Sequence, residues 1–176
     1  MTTLYIDMDG VVADFTAFAR QVLQVTDGDG HKWPQGQWAK LRDVPNLYRN
    51  LPKMPQADDI INMARKFRDE LGWPVFMLTA VPKGNDVPDA FHDKILWIQE
   101  YYPDMRVRFG PWGHTKHQRC QQGDILVDDR TTNCEEWQAA GGRAIKVTGT
   151  DFTDVLAELT KIYIENIPRK NYKKLL

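Results

Sequence analysis

Five short runs of apolar residues recur along the chain, at residues 4–8, 75–78, 107–109, 125–127 and 144–147. Each run is too short for a helix, and runs of this length between polar segments predict buried strands. Several of the runs end at a polar or charged residue. The pattern therefore predicts five buried strands whose ends carry the reactive side chains.

Helical periodicity marks three other segments, where apolar residues recur every three or four positions. A shorter helix around Trp137 is predicted to end at Gly141 and Gly142, because glycine favours the left-handed conformation that stops a helix. Strands that alternate with helices predict an α/β fold, with a parallel sheet covered by helices on both faces. The three apolar stripes are Ile60, Ile61, Ala64, Phe67 and Leu71; Phe91, Ile95, Ile98 and Tyr102; and Val155, Leu156, Leu159, Ile162 and Tyr163.

One interval is too long for this alternation, because residues 9–74 separate the first run from the second. A single crossover helix needs far fewer residues, so the excess predicts an inserted element. The excess opens with a helical pattern and continues through a turn-rich segment at residues 26–30. We predict a small, mainly helical cap at residues 14–53, inserted after the first strand, with residues 1–13 and 54–176 forming the core domain.

Two aspartate doublets end two of the predicted strands. Asp7 and Asp9 end the first strand, with Gly10 behind them, and Asp128 and Asp129 end the fourth. Because the carboxyl ends of parallel strands meet at one edge of the sheet, the two doublets are expected to converge. Buried carboxylates repel one another, and a divalent cation would offset that repulsion. Hard oxygen ligands favour Mg²⁺ over zinc.

The same edge supplies the groups that phosphoryl transfer requires, namely an anionic nucleophile, a proton donor and positive charge. Asp7 can attack phosphorus, while Asp9 can protonate the leaving group and later take a proton from water. Thr79 and the backbone N–H groups after Asp7 can donate hydrogen bonds to phosphoryl oxygens. Lys116 can supply the positive charge. Three nearby residues compete with Lys116 for that role: Arg119, His114 and His117.

The order of these elements resembles the motifs of haloacid dehalogenase-like phosphatases. The motifs read Asp-x-Asp-Gly-Val, then a strand ending in Thr, then Lys, then a strand ending in Asp-Asp. Within that superfamily the chain is most similar to the 5′(3′)-deoxyribonucleotidases, through residues 7–15, 48–55 and 128–130. The resemblance implies a Rossmann-like core with an inserted cap, a magnesium ion and an aspartyl-phosphate intermediate.

The resemblance also implies a role for individual residues. Asp7 would be the nucleophile and Asp9 the acid–base group, with Thr79 and Lys116 completing the catalytic set. The metal would be held by Asp7, the backbone carbonyl of Asp9 and Asp128. Asp129 would act on the metal nearby, through water.

Four residues are predicted to face the substrate. Phe15 matches a cap aromatic of this family that packs on the nucleobase, and core packing is its alternative. Ala80 stands where these nucleotidases usually have Ser, while Gly10 lies in the first motif and Arg130 in the fourth. For the other aromatic residues of the insertion, packing in the core of the cap and contact with the substrate cleft both stay open. These residues are Phe18, Trp33, Trp38 and Tyr48.

Composition limits the kinds of partner. Apolar residues make up 42% and charged residues 27%, which is typical of a soluble globular protein. With 23 basic and 24 acidic residues the net charge is −1, so no global basic field would attract nucleic acid polymers or anionic membranes. No apolar stretch suits a membrane span, and the first residues lack a secretory pattern. Cys120 and Cys134 lack metal-ligand spacing and predict free thiols in the cytoplasm.

Three functions remain open at this level. The first is hydrolysis of a nucleoside monophosphate, a small phosphomonoester, by a 5′(3′)-deoxyribonucleotidase. The second keeps the chemistry and changes the substrate to a sugar phosphate or another small phosphomonoester. The third is a catalytically silent nucleotide-binding protein on the same fold. The sequence leaves base and sugar preference open, and also the oligomeric state, a homodimer included.

Overall fold

The computed structural model describes residues 1–27, 33, 35–82, 87–110 and 113–168. Five strands of the described residues form one sheet in the order β3-β2-β1-β4-β5, and each adjacent pair is parallel. The predicted α/β fold with a five-stranded parallel sheet is confirmed. The strands are β1 (Leu4–Ile6), β2 (Val75–Thr79), β3 (Arg106–Phe109), β4 (Ile125–Asp128) and β5 (Arg143–Lys146).

Helices connect the strands, and α3 packs against α6 beside the sheet. The apolar stripe of α3 is buried as predicted, apart from Leu71, which is half-buried. Gly72, whose φ is 69°, caps the end of the helix. None of the helices in the described ranges is long and apolar enough to cross a membrane. The helices are α1 (Phe15–Leu23), α2 (Gln35–Arg42), α3 (Ala57–Leu71), α4 (Ala90–Tyr101), the 3-10 helix Gly113–Arg119, α5 (Thr131–Ala139) and α6 (Thr153–Asn166).

The stripe predicted for α4 is partly wrong. Phe91 is 54% exposed and stacks on Phe109 with ring centroids 4.2 Å apart, instead of entering the core. Asp93 and Lys94 are buried on this helix, together with Trp97. The buried face of α4 therefore carries two charged residues, one of which belongs to the site described below.

Side chains of the strands alternate between two cores, because successive residues of a strand point to opposite faces. Ile6 and Met77 belong to the larger core, which also holds the buried side chains of α3, α4 and α6. Tyr5 and Leu126 belong to a smaller core that includes Trp137 of α5. By the same alternation Thr79 lies on the α4 side of the sheet edge, and Asp128 lies on the α5 side.

The segment between β1 and α3 contains α1 and α2, which contact each other. The chain enters and leaves this segment at one place, because Ala13 forms an isolated antiparallel bridge with Lys53. The Met54 N–H also donates to the Val12 carbonyl at 2.9 Å. The cap boundaries at residues 14–53 stay a prediction. Parts of the predicted turn at residues 26–30 lie outside the described residues.

Candidate active site

The end of β1 turns sharply so that the first doublet faces the second. The carbonyl of Met8 accepts hydrogen bonds from the N–H groups of Val12 and Ala13, each at 2.9 Å. Gly10 has a φ of 77°, and a Cβ atom built there would overlap the carboxylate of Asp129. Glycine is therefore required at this position both for the backbone conformation and for the approach of the two doublets.

Asp7 and Asp128 lie on either side of one buried ammonium group. Lys116 Nζ is 2.6 Å from Asp7 Oδ1 and 2.8 Å from Asp128 Oδ2. A carboxylate oxygen of Asp129 lies close by, since oxygens from Asp7, Asp128 and Asp129 fall within 4.8 Å of one another. The structure thus brings Asp7, the second acidic doublet and the predicted lysine to one point, while the carboxylate of Asp9 lies against another cation described below.

Two of the three competitors of Lys116, Arg119 and His117, have partners elsewhere. The Arg119 guanidinium donates to the Phe109 carbonyl at 3.1 and 3.2 Å. His117 Nδ1 lies 3.3 Å from a carboxylate oxygen of Glu136. The side chain of His114 lies outside the described residues. Gly110 lets Lys116 come close to the sheet, because a Cβ at Gly110 would be 2.9 Å from Lys116 Cγ.

Charge is not balanced in this cluster. Burial raises the pKa of Asp7 well above its ordinary value, and the neighbouring carboxylates of Asp128 and Asp129 raise it further, while Lys116 lowers it. Burial lowers the pKa of Lys116, but the charges of Asp128 and Asp7 outweigh burial and raise it overall. Three carboxylates against one ammonium group leave an excess of negative charge, and their oxygens are donors that suit Mg²⁺. The residues present therefore fit a magnesium ion.

A second ion pair lies on the α4 side of the sheet edge. Lys94 is only 1% exposed, and its ammonium group contacts the carboxylate of Asp9. Lys94 Nζ also donates to Thr79 Oγ1 at 3.0 Å and lies 4.3 Å from the ring centroid of Tyr48. Asp9 Oδ1 is buried and accepts no hydrogen bond within the described part of the chain. The sequence prediction missed Lys94.

The predicted substrate-side residues lie in different surroundings. Phe15 is 6% exposed, and its ring stacks on Trp38 and Tyr48 with centroids 5.8 and 5.7 Å away. Ala80 directly follows Thr79 and is partly exposed. The side chain of Arg130 is exposed, whereas its backbone N–H donates to Asp128 Oδ1 at 2.9 Å. Contact of these residues with substrate stays a prediction.

The fold is that of a known class. The L-2-haloacid dehalogenase from Xanthobacter autotrophicus superposes with a TM-score of 0.54, over 99% of this chain and 88% of that one, at 12% identity. That degree of identity shows the fold alone, so the chain has the haloacid dehalogenase-like fold.

Two curated proteins are similar to the chain in sequence. A curated protein of Staphylococcus epidermidis named "Putative 5'(3')-deoxyribonucleotidase" is 28% identical over 106 residues, or 60% of this chain and 52% of that protein. A protein of the same name from Staphylococcus aureus is 25% identical over 147 residues, or 76% of each chain. The match thus spans about half the length of the first relative. No protein-family model matches the chain. The resemblance to this superfamily, predicted from the motifs, is confirmed by the fold and these relatives.

Proposed function

We propose that this chain is a magnesium-dependent phosphomonoester hydrolase that acts through an aspartyl-phosphate on Asp7. The observation that supports this most directly is the position of Asp7. Its carboxylate is buried beside Lys116 and within reach of Asp128 and Asp129, at the edge where parallel sheets bind ligands. A carboxylate with one oxygen beside a cation and a second oxygen available to attack has the two properties that an acyl-phosphate mechanism needs.

The metal ion would be held by the side chains of Asp7 and Asp128, by the backbone carbonyl of Asp9, and through water by Asp129. When bound, it would neutralise charge on the phosphoryl group and on the carboxylates around it. Lys116 would favour the ionised form of Asp7 against the effect of burial and would hold the carboxylate in place, because it contacts Asp7 and Asp128 together.

In the first step, an oxygen of Asp7 bonds to phosphorus while the bond between phosphorus and the ester oxygen breaks. The leaving oxygen takes a proton from the carboxylic acid form of Asp9. In the second step, Asp9 accepts a proton from water as the water oxygen bonds to phosphorus. The bond between phosphorus and Asp7 then breaks, which releases inorganic phosphate and restores both carboxyl groups to their starting states.

Thr79 and Lys94 would hold the phosphoryl oxygens on the opposite side from Lys116. Thr79 Oγ1 and Lys94 Nζ lie 3.0 Å apart at the end of β2, where both can donate to one anionic group. Two ammonium groups on opposite faces of the sheet edge would stabilise the charge that develops on the transferring phosphoryl group.

The substrate is a nucleoside monophosphate, with a deoxyribonucleotide as the specific proposal. Its support is the name of the two staphylococcal relatives and the similarity of residues 7–15, 48–55 and 128–130 to that family. Residues 14–53 would form the cap, where Phe15, Trp38 and Tyr48 make an aromatic cluster beside Lys94. Such a cluster can present a flat apolar surface to a base.

Replacing Asp7 by Asn tests the mechanism. The variant should lose phosphate release by about 10⁴-fold or more, because the substitution removes the nucleophile that would form the covalent intermediate. Asp43→Asn is the control, because it makes the same chemical change at an exposed residue that directly follows α2. This variant should keep the activity of the parent protein. Magnesium-dependent turnover that survives in Asp7→Asn would exclude the mechanism.

A substrate panel tests the specificity. It should contain dUMP, dTMP, UMP, ribose 5-phosphate and a generic aryl phosphate, each assayed for phosphate release with Mg²⁺. We expect the highest kcat/KM for a deoxyribonucleotide. Faster turnover of the sugar phosphate would favour the second function named above. Tight nucleotide binding without any turnover would favour the silent nucleotide-binding protein.

A further inference from the structure

A buried amide side chain, that of Asn133, donates hydrogen bonds to the carboxylate of Asp128. Asn133 lies in the first turn of α5 and is 3% exposed. Its Nδ2 atom lies 3.0 Å from both carboxylate oxygens of Asp128. This is the only buried amide side chain among the described residues that bonds to a carboxylate of the site.

The amide completes a set of donors that fixes the orientation of Asp128. Oδ1 also accepts from the Arg130 N–H at 2.9 Å, and Oδ2 also accepts from Lys116 Nζ at 2.8 Å. Asp128 is fully buried, so each of these bonds replaces one that water would supply. A side chain with donors on both oxygens has little freedom to rotate about its last torsion.

The uncharged nature of the donor matters at this position. The cluster already holds one ammonium group against three carboxylates, and the remaining negative charge is what would attract a divalent cation. A lysine or arginine in place of Asn133 would satisfy Asp128 equally well but would cancel a further unit of that charge. A neutral amide holds the carboxylate in place and leaves its charge available to the metal.

We propose that Asn133 is a positioning residue for the metal, which fixes Asp128 so that the apoprotein is preorganised for Mg²⁺. This inference rests on the proposed function, because it takes Asp128 as a metal ligand. Groups that orient a ligand from outside the coordination sphere contribute to metal affinity even though they do not touch the ion.

Asn133→Leu tests the proposal, because leucine has a similar volume and no donor. Binding of Mg²⁺ to the substrate-free protein is measured by isothermal titration calorimetry, and phosphate release is measured across a range of Mg²⁺ concentrations. We expect the dissociation constant for Mg²⁺ to rise by about 10-fold or more. The kcat at saturating Mg²⁺ should change far less than the affinity, because Asn133 does not touch the reacting groups.

Cys134→Ala is the matched control. Cys134 is the next residue of α5, it is buried, and its Sγ atom contacts the backbone carbonyl of Asp128 at 3.6 Å. Its truncation disturbs packing at the same place without removing a donor from the carboxylate, so the Mg²⁺ affinity should stay as in the parent protein. If Asn133→Leu does not fold, Asn133→Ser and Asn133→Ala are compared instead. The serine hydroxyl can still donate a hydrogen bond, so the Mg²⁺ affinity should fall less in Asn133→Ser than in Asn133→Ala.

The outcomes separate this inference from the proposed function. Unchanged Mg²⁺ affinity in a folded Asn133→Leu or Asn133→Ala protein would overturn the role of Asn133 and leave the proposed hydrolase intact. A parent protein that binds no Mg²⁺ would overturn both. A parent protein that binds Mg²⁺ and hydrolyses no phosphomonoester, with affinity lost in the variant, would support Asn133 and overturn the hydrolase.

Discussion

The ammonium group of Lys94 lies against the carboxylate of Asp9, although the two residues are far apart in the sequence. Lys94 comes from α4 and Asp9 from the turn after β1, so the pair joins the helix to the catalytic turn. The same ammonium group donates to Thr79 at 3.0 Å. The proposed proton donor and the proposed phosphate-binding hydroxyl therefore share one buried cation.

The first prediction follows from this pair. Lys94→Met keeps most of the apolar stem and removes the charge, so kcat/KM for phosphate release should fall by about 10²–10³-fold, as it does when one preorganised electrostatic donor is lost. Lys161→Met on the exposed face of α6 removes the same charge far from the site and should have no effect. Activity of Lys94→Met equal to the parent's would show that this lysine takes no part in the reaction.

The second prediction concerns the approach of the two doublets. Gly10→Ala places a methyl group against the Asp129 carboxylate at a backbone φ of 77°. The free energy of unfolding should fall by about 1–3 kcal/mol, and activity should fall with the displaced carboxylate. Urea denaturation measures the first effect and phosphate release the second.

Gly149→Ala is the control for Gly10. Gly149 has a φ of 68°, but a Cβ there meets no atom within 4 Å. It should show the cost of the backbone conformation alone, about 1 kcal/mol, with full activity. Equal loss of activity in both variants would mean that contact with Asp129 is unimportant.

The sequence predicted the strand ends better than the helix faces. Asp7, Asp128 and Thr79 could be placed because a parallel sheet gathers the ends of its strands at one edge, wherever the connections run. The sequence did not identify Lys94 as a site residue. A lysine in a helix is normally solvated, and no motif marks this one as buried. The burial of this cation depends on Asp9, Thr79 and Tyr48, which come together only in the folded structure.

Two other differences have the same origin. Phe91 begins the predicted stripe of α4, yet the end of β3 offers it Phe109 as a stacking partner outside the core. Asn133 belongs to none of the sequence motifs. Its role depends on the turn between β4 and α5, which brings its amide within hydrogen-bonding distance of Asp128. The sequence predicts the reactive residues at the strand ends. The residues that hold them in place are determined by tertiary contacts, which the sequence pattern does not show.

The third prediction concerns metal removal. A ligand at about 100 times its dissociation constant stabilises the folded state by about 2.7 kcal/mol. Mg²⁺ added to the EDTA-treated protein should therefore raise Tm by several degrees and restore activity. Asp128→Asn should abolish the shift, because one of the three converging carboxylates is lost. A rise in Tm of the same size in Asp128→Asn would place the ion elsewhere.

The last prediction concerns stability against pH away from the site. Asp104 accepts hydrogen bonds from Arg65 at 2.7 and 3.0 Å and from Arg68 at 2.9 Å. The bonds from Arg65, with those from Arg68, hold the pKa of the Asp104 carboxyl well below its ordinary value. A lowered pKa in the folded state stabilises the protein above the pKa of the unfolded chain, and this stabilisation is lost as the pH falls through the folded value.

Asp104→Asn should therefore lower the free energy of unfolding at pH 7, and the difference from the parent should shrink as the pH falls below about 4, the ordinary pKa of an aspartate. The side chain of Asp104 is 37% exposed, so solvent screens the pair and the expected loss at pH 7 is only about 1 kcal/mol. Urea denaturation at pH 7 and at a series of lower pH values measures the difference. Asp43→Asn should show no comparable change, and a loss in Asp104→Asn that stays constant down to the lowest pH would contradict an electrostatic origin.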